Sequence, residues 1–153
     1  MKNQTDNLYH YTECGLDDVW LDGGVDVVDT PYGPGVTFRD IDGLHRIIGL
    51  HLADSLRPLK GKEVRFLRVE MDMSQKSLGT LLGVGDTTVA RWESGRGKIT
   101  ETAQRLLCLL YRESVTGNAD VAGSLQRLAA LDAEEYYQMN LTHTDDGWTD
   151  QAA

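Results

Sequence analysis

Thr87 and Arg91 stand four residues apart, a spacing that puts both side chains on one face of a helix. The planar fork of Arg91 matches guanine N7 and O6 together, a bidentate contact that distinguishes one base pair in the major groove. Thr87 has a shorter reach and can bond one base edge or touch a thymine methyl. Thr88 can contact either a base or a phosphate. Gln75, with its amide and the backbone N–H groups around it, can reach a phosphate, and Lys76 adds a cation beside it. Gly95-Arg96-Gly97-Lys98 supplies two more cations on a glycine-loosened turn. The candidate base contacts are thus Thr87, Thr88 and Arg91, and the candidate phosphate contacts are Gln75, Lys76, Arg96 and Lys98. Plainer roles compete at several of these positions. Lys76, Arg96 and Lys98 would serve equally as solvated surface cations. Asp86 reads as a helix cap ahead of a cytosine acceptor, and Trp92 as a core residue ahead of a stacking platform.

Two short helices and a tight turn must position this set. Ser74 is placed to cap the first helix, and Leu78, Leu81 and Leu82 lay an apolar stripe along it. Gly83-Val84-Gly85 interrupts the run, with glycine permitting the turn and Val84 available to fill the gap between helices. Asp86 is read as the cap of the second helix, in which Val89 and Trp92 point inward while Thr87, Thr88 and Arg91 point out. A further helix from about Lys62 to Met71 precedes this pair, with Val64, Leu67 and Met71 toward the core and Phe66 at its edge. Another begins at Thr100 and runs to about Ser114, burying Ala103, Leu106, Leu107, Leu110 and Tyr111.

Residues 60–112 resemble the helix-turn-helix domain of Xre/Cro-family repressors. The resemblance lies in Ser74-Gln75, Leu78, Gly83-Val84 and the ending Val89-Ala90-Arg91-Trp92-Glu93-x-Gly95. It implies a lambda-repressor-like fold, phosphate contact by Gln75, and a structural pair between Arg68 and Glu93 beside the core Trp92. A narrower resemblance, to MqsA-type antitoxins, rests on Tyr11-Thr-Glu-Cys-Gly-Leu-Asp-Asp-Val19, Asp42-Gly-Leu-His-Arg46 and Gly61-Lys-Glu-Val-Arg-Phe-Leu-Arg68. It implies base reading by the recognition-helix arginine, here Arg91. Thr87 stands where those relatives carry asparagine, so their operator need not be shared. Their zinc-binding N-terminal region is built on paired cysteines. Here Cys14 stands alone, with only His10 four residues before it and His45 or His51 far along the chain. A structural zinc needs four ligands in a tetrahedral array, so a metal-free unit without cofactor is expected.

The formal charge of −9, taken as a total, argues against a polyanionic partner, but its distribution does not. Residues 1–59 carry four basic against ten acidic side chains, a net of −6. Residues 60–112 carry ten against six, a net of +4, and residues 113–153 carry one against eight, a net of −7. Screening confines such fields to about 8–10 Å in ordinary salt, so the basic segment remains usable while acidic flanks discourage indiscriminate binding. Those flanks could also face a basic protein. Two cysteines give no disulfide framework and fit a reducing cytoplasm, and no apolar run approaches the roughly 18 residues of a membrane span. The beginning of the chain has no secretory apolar region.

Residues 1–59 read as a small α+β unit. Val19–Leu21, Val25–Val28 and Val36–Phe38 are short strand candidates, and Pro31-Tyr32-Gly33-Pro34-Gly35 is read as a turn outside any central strand. Asp42 is read as the cap of a helix reaching about Ser55, with Leu44, Ile47, Ile48, Leu52 and Leu56 on its apolar face. Beyond the helix-turn-helix domain at 60–115, a helical extension is expected over 116–140, with Val121, Leu125, Leu128 and Leu131 in a stripe. An acidic mobile tail is expected over 141–153. The fold class is mainly α, with the β-containing N-terminal unit and an additional C-terminal helix. His45 and His51, six apart, do not share a helix face, and no nucleophile–base pair or phosphate-binding glycine loop points to an enzyme. The leading expectation is a cytoplasmic, nucleoid-associated homodimer that binds double-stranded operator DNA and represses transcription. The alternative is an antitoxin that binds a protein toxin, or another regulatory protein, and controls its own operon.

Overall fold

The computed structural model describes residues 8–55, 57–117, 122, 141–145 and 147–150. Two small antiparallel pairs open the chain: β1 (Tyr9–His10) with β2 (Trp20–Leu21), and β3 (Val25–Thr30) with β4 (Gly33–Phe38). Five helices follow, α1 (Ile41–Ala53), α2 (Gly61–Glu70), α3 (Gln75–Leu82), α4 (Asp86–Glu93) and α5 (Glu101–Thr116). The architecture is mainly α, with its β structure small and local. No described helix is long and apolar enough to cross a membrane.

The β3–β4 turn is tighter than the five-residue segment read from the sequence. Only Pro31 and Tyr32 lie outside the ladder, and Gly33, Pro34 and Gly35 belong to β4. Pro34 is tolerated because it faces Asp29 across a two-stranded sheet. The alternation of the ladder makes that pair one that exchanges no hydrogen bonds, so the missing N–H costs nothing.

The cap of α1 also differs from the reading at Asp42. Asp40, in a left-handed backbone conformation at φ 45°, accepts a hydrogen bond from the Gly43 N–H at 3.2 Å. Asp42 instead lies in the first turn, where its charge complements the helix dipole. Ile48 and Leu52 are buried and Leu44 is partly covered, but Ile47 points outward and is 69% exposed. Leu56 lies outside the described residues.

A single apolar cluster runs from Tyr11 to Tyr111. Val64, Leu67, Leu78, Val89 and Leu107 are its fully buried members from α2 to α5. Tyr11, Leu16, Ile48, Leu52 and Leu59 belong to the same cluster, so the core crosses the expected division at residue 59. Phe66 is buried with them rather than at an edge. Close packing of α1 on α5 depends on Gly49, where a Cβ would lie 2.0 Å from the Tyr111 hydroxyl.

Two polar arrangements pin the N-terminal unit down. His45 on α1 bonds the Tyr11 hydroxyl at 2.7 Å and Glu70 of α2 at 2.8 Å. Glu63, a buried carboxylate, binds both terminal nitrogens of Arg57 and accepts the Lys60 N–H at 2.7 Å. Burial pushes the Glu63 carboxyl up, but these donors outweigh it and hold its pKa below the ordinary value. Cys108 is half-buried on α5, and burial pushes its thiol up.

The helical stripe expected over Val121, Leu125, Leu128 and Leu131 lies outside the described residues. Within the segment expected to be a mobile tail, β5 (Leu141–Thr144) pairs with β6 (Gly147–Asp150). Acidic composition by itself does not oppose strand pairing, because the ladder is built from backbone hydrogen bonds.

Candidate nucleic-acid interface

The pair α3–α4 owes its geometry to the turn between them. Gly83 ends α3 with φ 71°, and the Val84 N–H returns to the Gly79 carbonyl at 2.8 Å. Gly79 is required by contact rather than by dihedral angle: a Cβ there would lie 2.6 Å from the Val84 carbonyl oxygen. Val84 packs against the core, as do Leu78, Leu81 and Leu82 on the inner side of α3. The Ser74 hydroxyl accepts the Ser77 N–H at 3.0 Å and caps α3. At α4 the cap position is Gly85, one residue earlier than the reading at Asp86. Asp86 stands in the first turn, its Oδ1 accepting the Thr87 N–H at 2.8 Å. Its charge still suits the helix N-terminus.

Arg68 clamps α2 to the end of α4. Its Nε and Nη2 each donate to a different Glu93 oxygen at 2.8 Å, and Nη1 donates to the Met73 carbonyl at 2.8 Å. The Glu93 side chain is only 5% exposed and that of Arg68 13%. The hydrogen bond to Glu93 raises the Arg68 pKa. Gln75 also turns its amide toward Glu93, at 3.5 Å, from the first position of α3. Trp92 is buried in the core, with no face free for stacking on a base. Gly61, at the start of α2, sits so close to the end of α4 that a Cβ would meet the Trp92 carbonyl at 2.3 Å.

On the opposite side of α4, Thr87 and Arg91 are exposed and Thr88 is half-buried. The loop after α4 folds back on the helix: the Arg91 carbonyl accepts the Arg96 N–H at 3.0 Å and the Gly97 N–H at 3.2 Å. Arg96 and Lys98 are thereby held near the end of α4, both exposed, while Lys76 is exposed on α3. Electrostatic pairing separates these cations from most of the rest, although Arg46 meets only the Val115 carbonyl. Arg39, Arg57, Lys60, Lys62, Arg68, Arg105 and Arg112 each meet a carboxylate. With described residues, Lys76, Arg91, Arg96 and Lys98 form neither an ion pair nor a side-chain hydrogen bond. Arg65, exposed on α2, shares that condition and was not singled out from the sequence.

Sequence reasoning also passed over Glu63, Gly61 and Gly79. Glu63, three residues after Lys60 at the N-cap of α2, is the acidic half of a capping box and accepts the Lys60 backbone N–H, and a glycine inside an amphipathic helix signals close backbone approach. The residues weighed for a metal are not assembled into one. His10 bonds the Asp17 carbonyl and stacks on Trp20, Cys14 faces the Tyr11 carbonyl, and His45 is engaged on both ring nitrogens. No cluster of metal-ligating side chains occurs among the described residues.

Comparison with known proteins locates a family within the chain. No curated protein and no solved structure matches it. A family model described as Helix-turn-helix matches residues 64–114, from the buried Val64 of α2 to the last turns of α5. The chain carries an Xre/Cro-like helix-turn-helix domain at residues 64–114, the fold of a DNA-binding regulator family.

Proposed function

We propose that the protein is a sequence-specific transcriptional repressor that binds an inverted-repeat operator as a homodimer. In this reading α4 enters the major groove, Arg91 reads guanine, and Thr87 and Thr88 contact neighbouring base edges or a thymine methyl. Gln75 and Lys76 at the start of α3, with Arg96 and Lys98 beyond α4, hold phosphates and set the angle of entry. The observation that carries the proposal is the set of exposed cations around α3 and α4 without a described carboxylate partner, in a chain whose net charge is −9. Elsewhere in the described structure, basic side chains meet carboxylates almost throughout. One short helix buries little duplex surface, so two copies spaced roughly 34 Å apart on successive major grooves supply affinity and selectivity. The acidic flanks suppress binding to arbitrary duplex. No enzymatic step is part of this reading.

Titration against the DNA flanking the protein's own gene, beside a scrambled duplex and at two salt concentrations, tests it. Preference for the native duplex, weakening steeply with salt, is expected. Equal affinity for both duplexes contradicts sequence-specific regulation.

A second reading is the antitoxin of a toxin–antitoxin pair, supported by the narrower sequence resemblance and by the acidic surface of residues 1–59. A stable complex with a small basic toxin encoded beside it, with loss of toxicity, favours that reading. Failure of the two to associate removes it in this form.

A further inference from the structure

Arg65 on α2 is exposed and forms neither an ion pair nor a side-chain hydrogen bond with described residues. Its place on the helix follows from its neighbours. Gly61, Arg65 and Arg68 recur at spacings of four and three, so they share one face of α2. The two outer members fix what this face meets. A Cβ at Gly61 would lie 2.3 Å from the Trp92 carbonyl oxygen and 2.7 Å from that of Glu93. Arg68 donates to both carboxylate oxygens of Glu93. The face therefore runs across the C-terminal end of α4, with Arg65 between its two anchors.

Each anchor adjoins one group of the proposed phosphate contacts. Gly61 borders the same hollow as Gly95, Gly97 and Lys98 of the loop after α4. Arg68 Nη2 donates to Glu93 Oε1, the oxygen toward which Gln75 turns its amide at the start of α3. Arg65 thus stands between the Gln75–Lys76 group and the Arg96–Lys98 group. Electrostatics gives a cation a task at this point. The C-terminal end of α4 is the negative end of its dipole, and Glu93 adds a carboxylate there. Both repel a phosphate brought close to them. Arg68 cannot offset this toward solvent, because it is 13% exposed and its nitrogens are occupied by Glu93 and the Met73 carbonyl. Arg65 can.

We infer that Arg65 holds an operator phosphate lying between those held by Gln75 and Lys76 and those held by Arg96 and Lys98. It thereby extends the DNA-facing surface from α3 and α4 onto α2 and offsets the negative end of α4. A guanidinium on a phosphate fixes orientation and carries no base identity, so Arg65 is a positioning residue. The inference rests on the operator-binding reading and enlarges its contact set.

Binding of wild type, Arg65→Gln and Arg65→Lys to the duplex flanking the protein's own gene, over a series of salt concentrations, tests it. Arg39→Gln, in the N-terminal unit, controls for the loss of one positive charge. Glutamine keeps helix propensity and Arg65 has no described partner to lose, so the variant should fold, as melting followed by circular dichroism establishes. Each phosphate contact contributes about 0.9 to the slope of log affinity against log salt, so Arg65→Gln should flatten that slope by about 0.9 per protomer. Its affinity for the native duplex and for single-base variants should fall by one common factor, at least about threefold in moderate salt. Arg65→Lys should keep most of the slope, since lysine also neutralises a phosphate, and Arg39→Gln should keep that of wild type. A folded Arg65→Gln whose slope is no flatter than that of Arg39→Gln overturns the inference and leaves operator binding standing. Loss confined to one base position overturns it as well, since Arg65 then reads a base. A wild type that binds no duplex removes both the inference and the reading beneath it.

Discussion

Replacing Arg68 by methionine isolates the clamp between α2 and α4. Methionine fills much of the same space and removes three donors at once, the two to Glu93 and the one to the Met73 carbonyl. Glu93, 5% exposed at its side chain, is then a buried carboxylate whose nearest described side-chain donor is the Gln75 amide at 3.5 Å. Breaking one side of a buried ion pair costs about 3–5 kcal/mol, because the survivor loses its partner without regaining water. Some relaxation of Gln75 toward Glu93 puts the expectation near the lower end, about 3 kcal/mol. For a chain of this size that is a fall of roughly 6–12 °C in melting temperature. Thermal and urea unfolding at neutral pH, followed by circular dichroism, measure it. The double variant Arg68→Met with Glu93→Leu should recover most of the loss, since an apolar pair of similar volume can replace a buried ion pair at little cost. A single variant within about 0.5 kcal/mol of wild type would refute the reasoning and reduce the clamp to a surface pair.

The other side chains give distinct signatures. Gln75→Ala should weaken preferred and altered operators by similar factors, because a phosphate contact carries no base identity; selective loss on one operator contradicts that role. Gly79→Ala should lower stability by about 1–3 kcal/mol, since the added methyl meets the Val84 carbonyl rather than a yielding side chain. A gain, as expected for alanine in an open helix, would refute the close approach. Glu63 has a depressed folded pKa, so its contribution is complete above the unfolded value, near 4.5, and is lost as pH falls through the folded one. Glu63→Gln should therefore lower the melting temperature most near neutrality, and its difference from wild type should narrow in acid. A difference that widens in acid reverses that sign.

The helix-turn-helix was legible because several local signals coincide over a short span. Ser74, Gly83 and the Leu78–Val89–Trp92 pattern each specify one element, and the elements agree. Boundaries were less legible. Asp40 and Asp42 are both capable caps for α1, and the choice depends on a left-handed backbone at Asp40 that composition does not reveal. The same ambiguity moved the α4 cap from Asp86 to Gly85. Ile47 looked like core because helical periodicity gives a face without saying how wide its covering is. Glu63 and Gly79 act through contacts whose partners emerge only when helices are assembled. Free and paired cations are also indistinguishable in sequence: Lys60 and Lys76 read alike, yet one meets Asp18 and the other has no described partner.

The central claim is that α4 reads bases and that Arg91 is its principal reader. The most direct test is the affinity of wild type and Arg91→Ala for an operator and its single-base variants, with melting temperatures taken alongside. Arg91→Ala should remain folded and lose about 1–3 kcal/mol of discrimination at one position in each half-site, leaving the other positions nearly unchanged. A folded Arg91→Ala that weakens every duplex by the same factor would contradict the account and make Arg91 a phosphate contact.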